Sequence, residues 1–190
     1  MTTLRLRAET ADAHHRIERD LDWTARLASR GAYARWLAGL YGFHLAWERA
    51  AAAPLGPDLM GRRLRAHLAA ADLAYLGWSP ARIAGLDRFP ALAWASRAEA
   101  LGALYVVEGS ALGGRVIAAE VERRLGLSAE AGCRYFHGHG PLTGQLWREV
   151  RAELARLGAA EEAAAVGAAL RTFEVLRAWL CRPEHSPAAP

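Results

Sequence analysis

The chain has 190 residues, 53% of them apolar, with a formal charge of +4 and a pI near 9.6. That length suffices for one domain with a sizeable core, and abundant Ala and Leu favour helices over strands. All 24 basic residues are arginines, a bias of the kind a GC-rich genome imposes. The basic balance suits an acidic protein partner or an anionic ligand. Without an aromatic-interleaved basic stripe or zinc-finger spacing, it does not point to nucleic acid. Cys133 and Cys181 match no metal or redox motif and read as idle thiols of a reducing compartment. The N-terminal segment is charged and lacks a signal-peptide core, and the uncharged run at 36–47 is shorter than the ~20 apolar residues of a bilayer span. These features predict a cytoplasmic protein without a membrane or nucleic-acid partner.

Helical periodicity dominates. A first helix is predicted over residues 3–21, with Leu4, Ala8, Ala11 and Ile17 as its apolar positions. A longer one over 30–53 carries Tyr33, Leu37, Leu40, Tyr41, His44 and Trp47, and Pro54-Leu-Gly-Pro57 ends it. The next covers 59–76 and stops at Gly77, before a short helical turn at 80–85. A glycine-interrupted helix follows over 95–124, then a short piece and a break at His137-Gly-His-Gly-Pro141. Thr143 is expected to cap a helix running to 157, with Gly158 at its end. The last helix spans 159–182, with Val166, Leu170, Phe173, Leu176 and Leu180 as its core stripe. With no confident strand, the fold class is all-α: one helical domain over 1–182 and a disordered tail over 183–190.

Glu108-Gly-Ser-Ala-Leu-Gly-Gly114 lies inside an otherwise good helix. Glycine costs about 1 kcal/mol against alanine in a helix interior, so this cluster needs a reason. Gly109 and Gly113 share a face, with Gly114 beside them. Two readings stay open: a tight helix crossing or kink, or bare backbone on which something flat rests. The first helix carries Thr10-x-x-x-His14-x-x-x-Glu18. His14 and Glu18 stack on one face, either as a surface pair or as an imidazole whose tautomer and basicity the carboxylate sets. One imidazole is too few for a tetrahedral zinc site but enough for haem, whose porphyrin supplies the other donors.

Taken together, these segments resemble the haem oxygenase family, in particular its bacterial branch associated with phytochromes. Thr10-x-x-x-His14-x-x-x-Glu18 is similar to the family's proximal-ligand motif. Leu40-Tyr41 followed by Glu48, Gln145-Leu-Trp-Arg148 and Ala-Leu-Arg-Thr-Phe173 also look like family segments, in the same order. The resemblance implies a compact helical fold and the oxidative opening of haem to biliverdin, carbon monoxide and ferrous iron. Haem is then substrate and prosthetic group together, and dioxygen is consumed. His14 is the expected axial ligand of the haem iron, with Glu18 as its support and Phe173 as an aromatic wall. Gly109, Ser110, Gly113 and Gly114 form the distal side, where the helix is expected to kink over the ring. Arg148, with Arg7, is expected to pair with the propionates. No flavin or nicotinamide fingerprint is present, so electrons come from an external reductase or ferredoxin, and a phytochrome is a possible recipient of biliverdin.

Two positions depart from the family pattern. Ser110 stands where many members have an aspartate that organises water, and Val106 stands where a basic residue occurs. These departures leave room for a haem carrier or sensor that does not degrade its ligand, and for a haem-free helical protein of related fold. His15 is expected to point about 100° away from His14 and into solvent. His44 and His67 read as packing residues, and His137 and His139 as loop residues. Tyr105 is one position out of register with the family's pocket tyrosine and is not assigned to the site.

Overall fold

The computed structural model describes residues 2–90 and 92–185. Nine α-helices account for most of this length: α1 Thr2–Leu21, α2 Trp23–Arg26, α3 Arg30–Met60, α4 Ala66–Tyr75, α5 Pro80–Ala84, α6 Arg97–Leu125, α7 Arg134–His137, α8 Thr143–Leu154 and α9 Ala159–Leu180. Among the described residues there is no strand, only an isolated bridge between Ser128 and Gly132. The all-α class read from composition and periodicity is the class observed.

Helix α3 is the central element, burying Tyr33, Trp36, Leu37, Phe43 and Trp47 to 2% exposure or less. It packs on α4, α6 and α9; α6 in turn packs on α7, α8 and α9, while α1 lies mainly on α9. The α6–α9 crossing is set by Gly102, where an added Cβ would fall 2.0 Å from the Ala165 carbonyl oxygen. Only a residue without a side chain permits that approach.

The helix boundaries differ from the sequence expectation in several places: α2 is not expected, and α8 ends at Leu154, so that Gly158 caps the start of α9 and does not mark the end of α8. Helix α3 continues past Pro54 and breaks at Gly56, whose φ of 77° is left-handed. Pro57 then opens a final turn, at a position whose N–H would lack a helical partner in any case. The helix predicted from 59 starts at Ala66, because Glu48 accepts the backbone N–H groups of Arg65 and Ala66 at 2.6 and 2.8 Å. Thr143 opens α8 but does not cap it with an acceptor; its hydroxyl donates to the Gly140 carbonyl at 3.0 Å. Finally, Pro183–His185 form a 3-10 turn, with His185 buried, where the sequence predicts a disordered tail. Arg26 holds this turn by donating to the His185 and Leu180 carbonyls. Residues 186–190 lie outside the described residues.

Candidate functional site

On α1, His14 Nδ1 lies 3.3 Å from Glu18 Oε2, and the two side chains are 52% and 59% exposed. The Phe173 ring from α9 meets the imidazole edge-on, with centroids 5.7 Å apart. The spacing that stacks residues i and i+4 thus brings His14 and Glu18 together, and helix packing adds Phe173. Glu18 lies at ion-pair distance from Nδ1 but does not make a hydrogen bond to it. Nε2 of His14 has no hydrogen-bond partner among the described residues. His15 does not simply point away: donor atoms of His14, His15 and Glu18 all lie within 4.8 Å of one another.

Helix α6 runs through Gly109, Gly113 and Gly114 without a break in its helical assignment, and none of the three has a positive φ. The cluster divides into two environments. Nothing lies within 4 Å of the position a Gly113 Cβ would take, and at Gly109 that position is 3.9 Å from the Trp147 ring. At Gly114 it is 2.7 Å from the Phe136 carbonyl oxygen, so this glycine serves the contact of α6 with α7. The helical repeat groups Tyr105, Gly109, Leu112, Gly113 and Val116 on one side of α6. Leu112 and Val116 there are 41% and 65% exposed, giving an apolar surface with bare backbone between the side chains.

Tyr105, left out on register, packs on Trp147 of α8 with ring centroids 5.3 Å apart. Its phenol faces Thr10 and Arg7 of α1; burial raises its pKa, and those two groups oppose the rise. Arg7 and Arg148 are both exposed, and neither has a carboxylate partner among the described residues.

Behind α6 is a buried polar group that local sequence patterns did not reveal. The Arg65 guanidinium, 1% exposed, reaches Ser110 Oγ at 3.3 Å and the Tyr135 carbonyl at 3.3 Å. It also stacks on the Tyr135 ring at 4.3 Å. The Tyr135 hydroxyl meets His44 Nε2 at 2.9 Å. Burial first, and then the neighbouring Arg65 and His139, hold the His44 imidazole well below its ordinary range, and His44 Nδ1 lies 3.8 Å from Glu48. Nearby, Glu108 Oε1 lies 3.4 Å from His139 Nε2. Glu108 Oε2, His44 Nδ1 and Arg65 Nε are buried with no partner, an arrangement suited to internal water.

Two cavities, about 350 Å³ beside Arg30, Tyr75 and Trp78 and about 470 Å³ beside Leu55, Arg97 and Glu149, border neither His14 nor the α6 glycines.

A family model described as heme oxygenase matches residues 2–182. The chain belongs to the haem oxygenase family. Among solved structures, haem oxygenase from Neisseria meningitidis with NO or CO bound superposes with a TM-score of 0.77 at 23% identity, covering 97% of this chain and 92% of that one. Haem oxygenase 2 from Chlamydomonas reinhardtii, crystallised without haem, gives a TM-score of 0.73 at 19% identity, covering 94% and 95%. Comparison with curated protein sequences finds no match. The structural likenesses establish the haem-oxygenase fold, and the family match establishes an enzyme of the haem oxygenase class. Helix α6 is long and apolar enough to cross a bilayer by length and composition, but 56% of its most apolar stretch is buried inside this fold.

Proposed function

We propose that this protein is a cytoplasmic haem oxygenase that opens haem to biliverdin, carbon monoxide and ferrous iron, using dioxygen and electrons from a separate reductase or ferredoxin. The observation that carries this reading is the approach of α1 to the glycine-bearing side of α6, where Tyr105 faces Thr10 and Arg7, one helical turn from both the half-exposed His14 and the open face at Gly109. These residues fit haem: an exposed imidazole can present a ring nitrogen to iron, and a helix face without Cβ atoms admits a flat ring. Bound haem supplies both the iron that activates dioxygen and the ring that is consumed.

His14 holds the iron, Glu18 stands beside Nδ1 of the imidazole, and Phe173 limits how far the ring of His14 can turn. Gly109 and Gly113 let α6 approach haem, while Leu112, Val116 and Trp147 exclude water from its faces. Gly114 sets the position of that segment from behind. Ser110 Oγ, which accepts from Arg65, would hold a water able to carry protons toward bound haem. Arg148, with Arg7, pairs with the propionates and so selects the meso carbon that is opened. The basic surface suits an acidic electron donor, and biliverdin is suited to supply a phytochrome.

A second reading, a carrier or sensor that holds haem unchanged, is favoured by one observation. The Ser110 hydroxyl donates to the Val107 carbonyl at 2.7 Å, which leaves its proton engaged within the helix. Adding hemin, recording the Soret band, then supplying ascorbate under oxygen separates the readings. Biliverdin formation supports the oxygenase. A stable band supports the carrier, and the absence of any band points to a haem-free helical protein. His14→Ala is expected to abolish or alter the axial ligation signature, whereas His15→Ala leaves it in place; the reverse would move the ligand to His15.

A further inference from the structure

We propose that His14, His15 and Glu18 also form a site for a single divalent first-row transition ion, ferrous iron included, in the haem-free protein. One donor atom from each residue lies within 4.8 Å of the other two. Two imidazoles and a carboxylate are the donor set of mononuclear non-haem iron(II) centres, and imidazole also suits zinc and nickel.

Metal–nitrogen and metal–oxygen bonds are about 2.0–2.2 Å, so bound donors must approach one another more closely than 4.8 Å. The three side chains are exposed, and small torsional turns achieve this without opening the core. The donors sit on one helix, at positions i, i+1 and i+4, so the backbone need not reorganise to form the site. His15, which the haem reading leaves idle, acquires a role as the third ligand. Three protein donors leave the remaining coordination positions to water, giving an exchangeable site and not a closed structural one.

A further consequence rests on the haem reading above. Ring opening releases a ferrous ion beside His14, and His15 and Glu18 are the nearest additional donors. The ion and a fresh haem then compete for one imidazole, so iron departure and haem entry are coupled.

The test is calorimetric titration of tag-free, haem-free protein with Zn²⁺ and with Co²⁺ in a non-chelating buffer, alongside hemin titration by Soret absorbance. One ion per chain is expected. His15→Ala is expected to weaken Zn²⁺ binding at least about tenfold, the lower end of what even an outer ligand partner is worth, while its hemin Soret band stays intact. Glu18→Gln is expected to weaken Zn²⁺ binding as well, with helix content unchanged by circular dichroism in both variants. Saturating Zn²⁺ is expected to weaken hemin uptake by the wild type. Unchanged Zn²⁺ affinity in His15→Ala, or unchanged hemin affinity with Zn²⁺ bound, would overturn the shared site. A flat Zn²⁺ isotherm with a normal Soret band defeats this proposal alone. A Zn²⁺ isotherm with no Soret band defeats the haem reading instead and leaves the ion site standing.

Discussion

Gly113 and Gly114 are neighbours whose surroundings call for opposite outcomes on substitution. A Gly113 Cβ meets nothing within 4 Å, so Gly113→Ala is expected to raise stability by about 0.5–1 kcal/mol through helix propensity. Gly113→Leu is expected to block hemin binding, read from the Soret titration. A Gly114 Cβ would press on the Phe136 carbonyl oxygen at 2.7 Å, and Gly114→Ala is expected to lower stability by about 1–3 kcal/mol as an overpacking change. Urea denaturation of the pair measures both signs at once. Arg148, exposed on α8, is argued from its role alone: Arg148→Ala is expected to mix the biliverdin isomers with little change in stability. An unchanged isomer ratio would remove it from the propionate site.

At the scale of elements, the α6–α9 crossing depends on one residue. Gly102→Ala would place a Cβ 2.0 Å from backbone oxygen, which no rotamer change relieves. It is expected to cost more than Gly114→Ala in the same denaturation measurement and to disturb the register of Phe173 against His14. Most of the long helices were legible because their apolar periodicity is local, and so was the His14–Glu18 stack, which needs only one turn of helix. The buried face of α1 was not, since Leu4 is 74% exposed and the helix buries Leu6, Thr10 and Ala13 along with Ile17. The start of α4 was not, since its cap is Glu48, 17 and 18 residues away in sequence from the N–H groups it satisfies. The two meanings of the glycine cluster were both visible beforehand. Dividing them between Gly113 and Gly114 required knowing where α7 lies. The link from Arg65 to Ser110 spans 45 residues, and no local spacing rule foresees it.

Across the whole molecule, the arginine bias has structural consequences as well as a compositional cause. Arg26, Arg63 and Arg65 are each 1% exposed and tie separate elements together. Arg63, for example, donates to the Leu146 carbonyl and to Glu149. The planar fork of arginine makes several bonds in fixed directions, which a lysine ammonium does not reproduce. Buried titratable groups also predict how stability responds to pH. His44 is held well below its ordinary value of 6.5, chiefly by burial. Below that value the unfolded chain takes up a proton that the folded chain refuses, so stability falls as the solution becomes more acidic. Burial raises Glu48 and Asp72 instead. Their contribution is present at low pH and is lost as pH rises through their folded values, so it opposes that of His44. The urea midpoint is therefore expected to drop between about pH 7.5 and about pH 5.5, and His44→Gln to flatten that slope.

The segment of α6 from Tyr105 to Gly113 is a beam clamped at both ends. Backbone presses on backbone at Gly102 on one side and at Gly114 on the other, and neither clamp can slip without breaking van der Waals contact. Helix α1 has no such fixture; it buries Thr2, Leu6, Thr10, Ala13 and Ile17 and is held through side chains. Haem bound as proposed, between His14 and the α6 glycines, would therefore push back the compliant wall bearing His14 while the glycine-lined wall stands still. Amide hydrogen exchange should record this as opening of α1 at a lower free energy than the middle of α6, with ligand binding slowing exchange in α1 far more than in α6.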